Sequence, residues 1–168
     1  VGERREAAER LREAEFEAFA AGAAGRLLHV AVLLTGDRAE GTELLCAALS
    51  RTYADWFRMR GEDPYAFTRA ELVRRFAHRP RWRRPRGGVL GTLGVRERLV
   101  IVLRLYEGIA EEQAAAQLGM PSERVRAVTL RATAALRSRP VGGGRGRREQ
   151  AQAGAQAGAQ AGARGAAS

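Results

Sequence analysis

Apolar residues recur at three- and four-residue intervals through most of the chain, and no alternating run of useful length appears. That periodicity predicts helices and no sheet. Leu44, Leu45, Leu49, Tyr53 and Trp56 line one side of an early helix. Further on, Leu99, Val102 and Leu103 give a helix over Arg96–Tyr106 an apolar face, and Gly108 follows it. Ala114, Ala115 and Leu118 do the same for a short helix over Ala110–Leu118, which runs into Gly119-Met120-Pro121. A longer helix then carries the stripe Val125, Val128, Ala132 and Leu136. These three faces can bury one another.

The far side of the last helix carries Glu123, Arg126, Ala127, Leu130, Ala134 and Arg137. Arg124 and Arg131 sit at its edge, where their stems can cover the core and their heads reach solvent. Two helices joined by a tight Gly-containing turn, the second one basic, have the outline of a helix-turn-helix that reads DNA. The alternative is an ordinary small helical bundle.

Local signals divide the rest. Gly36 can end the first helix in a left-handed cap. Asp37 can cap the next, with Glu40 completing a capping-box pair. Asp63 followed by Pro64 is a second helix start. Arg4 to Glu15 is charged and helix-prone, an extension of the first helix. From Val141 the composition turns to Gly, Arg and repeated Ala-Gln-Ala-Gly units. Such a tail buries too little to offset its ordering entropy, so disorder is expected. The expected fold is all-α. It has a charged helical extension (1–15), a helical domain (16–78), a basic linker (79–88), a helix-turn-helix domain (89–139) and a disordered tail (140–168).

The formal net charge of the 168 residues is +10, and every basic residue other than the two histidines is Arg. The absence of Lys points to a GC-rich genome and weakens Arg content as an argument. The net charge still favours nucleic acid or an acidic partner. Arg74, Arg75, Arg79, Arg81, Arg83, Arg84 and Arg86 surround Trp82 with no acid between them. A positive groove with an aromatic ring suits single-stranded DNA, and Arg74, Arg75, Arg81, Trp82 and Arg83 are its candidates. A plain basic linker with Trp82 folded on the core is the other reading.

The one cysteine, Cys46, excludes an internal disulfide and a cysteine-based zinc site. Among Leu44, Leu45 and Leu49 it is expected to be a buried structural thiol. No apolar run of membrane-spanning length and no signal peptide stand out, which favours the cytoplasm. No Ser/His/Asp set, metal cluster or phosphate loop appears. Gly142-Gly143-Gly144 follows no strand and lacks the P-loop lysine. His29 and His78 are isolated. No catalytic residue, metal or cofactor is therefore expected, and the chain does not read as an enzyme.

The run RERLVIVLRLYEGIAEEQAAAQLGMPSERVRAVTLRATAALR resembles the C-terminal, DNA-binding domain of an extracytoplasmic-function sigma factor. The resemblance extends upstream through LLTGDRAE, RTYADW and DPYAFTRAELVRRF, to cover roughly residues 16 to 138. It implies a first domain that docks on core RNA polymerase and holds the opened strand. It implies a second domain that reads the upstream promoter element. Carried onto these residues, Arg126 contacts a base or phosphate, Arg124, Arg131 and Arg137 the backbone, and Ala127 and Leu130 share the face. Glu43, Leu44 and Arg51 fall in the polymerase-docking place.

The chain departs from the family pattern. Cys46 and Ala47 replace a polar amide and a second acid, Arg74 stands where many members have Asn, and Ala127 and Val128 replace polar or basic contacts. The linker Arg79–Gly88 spans roughly 33–36 Å at full stretch, against roughly 50 Å between two promoter elements. Three functional readings follow. The chain is a sigma factor with promoter DNA and core RNA polymerase as partners. Or it is a sigma-derived regulator that no longer initiates. Or it is a decoy that binds an anti-sigma factor. None involves a membrane.

Overall fold

The computed structural model describes residues 2–80 and 87–138. The candidates Arg81, Trp82 and Arg83, and the Ala/Gly/Gln/Arg tail, lie outside the described residues. Among the described residues there are helices and no strand. They are α1 (Gly2–Thr35), α2 (Arg38–Trp56), α3 (Pro64–Ala77), α4 (Val95–Ile101), α5 (Glu111–Leu118) and α6 (Ser122–Arg137). At its end α4 widens into a π-helical turn over Val102–Tyr106.

The helices α1, α2 and α3 contribute Leu27, Val30, Leu34, Leu44, Leu45, Leu72, Val73 and Phe76 to the core. The boundaries follow the capping chemistry. Gly36 takes a left-handed φ of +77° and ends α1. A side chain there would also meet the Gly87 carbonyl oxygen at 2.5 Å, so the chain needs glycine for space as well as for φ. Asp37 Oδ1 accepts from the Glu40 amide at 2.9 Å and starts α2. The expected capping box is only half formed. The Glu40 carboxylate accepts from Arg79 Nη1 at 2.6 Å, and the Asp37 amide donates to Thr35 Oγ1 instead. A guanidinium is a stronger donor than a neutral amide, so the ion pair takes the carboxylate. Asp63 Oδ1 accepts from the Tyr65 amide at 3.0 Å, with Pro64 at the first position of α3.

Two expectations need correction. Cys46 is exposed, not buried. In α2 the inward positions are Gly41, Leu44, Leu45, Ala48 and Thr52, and the residue after Leu45 turns outward at 100° per step. Second, an 18-residue stretch of α1 is long and apolar enough to cross a bilayer by length and composition. Arg26 and His29 interrupt that stretch, so the sequence shows no unbroken apolar run of the same length. In this fold Leu27, Val30, Ala31 and Leu34 of α1 are fully buried.

The helices α4, α5 and α6 bury Val100, Val102, Leu103, Ala114, Ala115, Val125, Val128 and Ala132. The described residues up to Leu136 form one compact unit. Two charged side chains without solvent contact join its two halves. Glu107, just past the π-helical turn, has a side chain with 0% exposure. It accepts from Tyr65 Oη at 2.9 Å, Arg69 Nη1 at 3.1 Å and Arg26 Nε at 3.2 Å. Burial and the neighbouring Glu107 charge push the Tyr65 phenol well above its ordinary range. Arg98 is also 0% exposed. It donates to the carbonyls of Leu34 (3.1 Å), Gly87 (3.0 Å) and Leu93 (3.3 Å). Leu34 lies in the last turn of α1, where carbonyls lack helical partners and the helix dipole favours a cation. Burial pulls the Arg98 guanidinium below its ordinary value.

Candidate nucleic-acid interface

The turn between α5 and α6 is built by Gly119. With φ +61° it caps α5 in the left-handed conformation, and the Met120 amide returns to the Ala115 carbonyl at 3.0 Å. The Pro121 carbonyl then accepts from the Arg124 and Val125 amides and opens α6. The α6 stripe of Val125, Val128 and Ala132 is buried in the core, which sets the side of the helix that faces solvent. Arg124, Arg126, Ala127, Leu130, Arg131 and Arg137 are all exposed. Leu130 is 68% exposed, the second most exposed large apolar side chain among the described residues. All six DNA-binding candidates therefore stand on accessible parts of one helix.

Sequence reasoning missed the acids that hold these arginines. Arg126 donates from Nη2 to Glu111 Oε1 at 2.9 Å and from Nε to Glu111 Oε2 at 3.3 Å. The hydrogen bonds and charge of Glu111 raise the Arg126 guanidinium above its ordinary value. Arg131 Nε lies 3.5 Å from Glu97 Oε1 on α4. Glu97 also accepts from the Gly94 amide at 3.0 Å. Both acids sit in first turns of helices, where they complement the dipole and look like ordinary helix-start residues in the sequence.

The two described single-strand candidates, Arg74 and Arg75, are similarly engaged. Arg74 and Arg75 both donate to Glu71, one turn back on α3. Those bonds, from Arg74 most strongly, lower the Glu71 carboxyl. Arg79 is bound to Glu40 of α2. The stretch that reads as free of acids is thus supplied with two of them from neighbouring turns and helices. A cleft of about 1280 Å3 lies between the end of α3, the start of α4 and the α5–α6 turn. Arg74, His78, Arg79, Arg96, Arg124 and Arg131 line it, with Glu97 as its acid. It brings Arg74 of the single-strand set together with Arg124 and Arg131 of the duplex set.

Of the polymerase candidates, Glu43 and Arg51 are exposed. Arg51 is paired with Asp55 at 2.9 Å. Leu44 is a core residue, 5% exposed. Its place on the inward side of α2 follows from the same periodicity that turns Cys46 out. Among the described residues no group of His, Cys, Asp or Glu has the arrangement to hold a metal ion.

Residues 89–138 match the family Sigma-70, region 4. No curated protein matches the chain. Among solved structures, the chain is similar to one in the complex of the sigma factor RpoE with the anti-sigma factor NepR from Bartonella quintana. The match has a TM-score of 0.59 and 18% identity, and covers 73% of this chain and 94% of that one. A chain in the complex of the anti-anti-sigma factor PhyR with NepR, from the same organism, matches with a TM-score of 0.53 and 20% identity. There the cover is 70% of this chain and 48% of that one. Residues 89–138 therefore carry a Sigma-70 region 4 domain, and the likeness to these solved structures, at 18% and 20% identity, is one of helical fold.

Proposed function

We propose that the chain directs core RNA polymerase to promoters and initiates transcription there, as a non-enzymatic subunit working in the cytoplasm. The observation that carries this reading is α6. It is a helix of a region 4 domain with its apolar stripe buried and Arg124, Arg126, Leu130, Arg131 and Arg137 on accessible faces. A helix of this kind enters the major groove, with some side chains on base edges and others on phosphates. Residues 89–139 would read the upstream element. Residues 16–78 would dock on the polymerase through the exposed Glu43 and Arg51 of α2, with Leu44 supporting them from the core. Arg74 and Arg75, with Arg81, Trp82 and Arg83, would meet the opened strand. An anti-sigma partner fits the reading, since the sigma factor RpoE has its fold in complex with one.

Co-purification with core RNA polymerase, followed by run-off transcription on genomic fragments, tests this. Glu43→Arg should weaken co-purification and keep the helix content. A wild-type chain that never co-purifies with core enzyme would remove the initiating role. The exposure of Cys46 favours a second reading, a DNA-binding regulator that no longer initiates. The position where the family carries a polar amide lies on the outer surface of α2, where polymerase would meet it. That reading expects DNA binding that competes with polymerase holoenzyme and supports no transcript.

A further inference from the structure

We infer that Glu111 is a positioning residue for base reading. It holds the Arg126 guanidinium so that its free edge faces a guanine. The inference rests on the promoter-reading role of α6 and goes beyond it in naming the residue that aims the contact and the base it takes.

A guanidinium has two edges that can form paired hydrogen bonds. One is the side edge, Nε–H with Nη2–H. The other is the end edge, Nη1–H with the second Nη2–H. Glu111 occupies the side edge through both of its oxygens, at 2.9 and 3.3 Å. The end edge remains, and its two parallel donors match the N7 and O6 acceptors of guanine in the major groove. Glu111 is well placed to act as a fixed support. Its side chain is 14% exposed, while that of Arg126 is 66% exposed. The acid is anchored on α5 and the cation stands out on α6, so the pair bridges the two helices of the motif.

The charge balance decides between base and phosphate. A lone Arg attracts any phosphate along the duplex. An Arg joined to a carboxylate presents close to zero net charge beyond a few ångströms, and Glu123 and Glu112 add further negative charge nearby. Long-range attraction to the backbone is therefore largely cancelled at this point of the helix. Short-range directional donation survives, because it depends on N–H geometry rather than on net charge. A base edge benefits from that arrangement and a phosphate does not. Among the described residues no acid is hydrogen-bonded to Arg124, which lines the basic cleft, where backbone contact fits.

The test is binding-site selection with the full chain, alone and assembled with core RNA polymerase. Wild type, Arg126→Ala, Glu111→Ala, Glu111→Gln and Glu111→Ala with Arg126→Ala are compared. Wild type is expected to require guanine at one position, and Arg126→Ala to lose about tenfold in discrimination there. Glu111→Ala should relax that same position, with affinity for DNA mismatched there unchanged or raised. Glu111→Gln should relax it in part, because the amide retains one acceptor. The double variant should match Arg126→Ala alone, since both changes remove one contact. Circular dichroism of each variant checks that α5 remains helical.

A purely structural role for Glu111 would lower affinity for all sequences alike and leave base preference intact, which overturns the inference. A steeper salt dependence in Glu111→Ala with unchanged preference would assign Arg126 to phosphate, and overturns it too. A wild type with base preference that Arg126→Ala leaves unaltered rejects the Arg126 contact. A wild type with no preference, alone or with polymerase, rejects promoter reading by α6 and the inference with it.

Discussion

Individual charged residues do unequal work in this chain. Arg98 satisfies carbonyls of three separate segments from a site with no solvent contact. Replacing it by Met keeps bulk but leaves those carbonyls without their donor. Arg98→Met should cost about 2–4 kcal/mol in urea unfolding, the scale of losing charge-assisted hydrogen bonds to buried acceptors. Glu71 offers a pH-dependent counterpart. Hydrogen bonds from Arg74, then Arg75, hold its carboxyl below the ordinary glutamate value against the opposing effect of burial. A carboxyl lowered by folding contributes stability that is complete above its unfolded value and is lost as pH falls through the lowered one. Stability measured from neutral pH into acid should therefore decline below the ordinary glutamate range, and Glu71→Gln should flatten that decline. Neither residue is conspicuous in the sequence as a structural group. Arg98 occupies an inward position between Val95 and Val102, and a charge at an apolar-face position was the available signal. The arginines of α6 were legible as an exposed set because amphipathic spacing fixes which side a helix buries. Their acid partners were not, since pairs such as Arg126 with Glu111 depend on how two helices cross.

At the scale of elements, the sequence specified starts and stops well. Gly36, Asp37, Asp63, Pro64 and Gly119 each act through local chemistry, and each marks a boundary in the structure. The π-helical turn after α4 was not foreseen. The Glu107 amide reaches back to the Val102 carbonyl at 2.9 Å, one residue farther than in an α-helix. No composition rule marks such a widening. It precedes the residue that the other half of the molecule grips, so tertiary contact sets the local geometry. Gly119 gives the clearest prediction here. An L-residue at its φ is strained, so Gly119→Ala should destabilise the helix-turn-helix by about 1–2 kcal/mol. Amide exchange in α5 and α6 should rise while α2 stays protected. Equal loosening of all helices would contradict a local effect.

For the whole molecule, the junction at Glu107 matters most. One carboxylate just past the π-helical turn meets Arg26 of α1 and both Tyr65 and Arg69 of α3. Removing one partner from a buried ionic group leaves the others uncompensated, typically at about 3–5 kcal/mol. Glu107→Gln should lower the unfolding midpoint and separate the melting of α1–α3 from that of α4–α6. A single unchanged transition would show that the apolar contacts suffice. The sequence displayed Glu107 inside a recognisable Tyr-Glu-Gly motif, but long-range partners up to 81 residues away lie beyond any spacing rule. The exposed Cys46 opens a way to watch this junction. As the chain's single thiol, on the outward side of α2, it accepts one nitroxide label with no competing site and no core side chain disturbed. Paramagnetic broadening of amide resonances in α4–α6 would then map their distance from α2 in solution, and any change in that map on DNA or polymerase binding would register as sharpened or newly broadened lines.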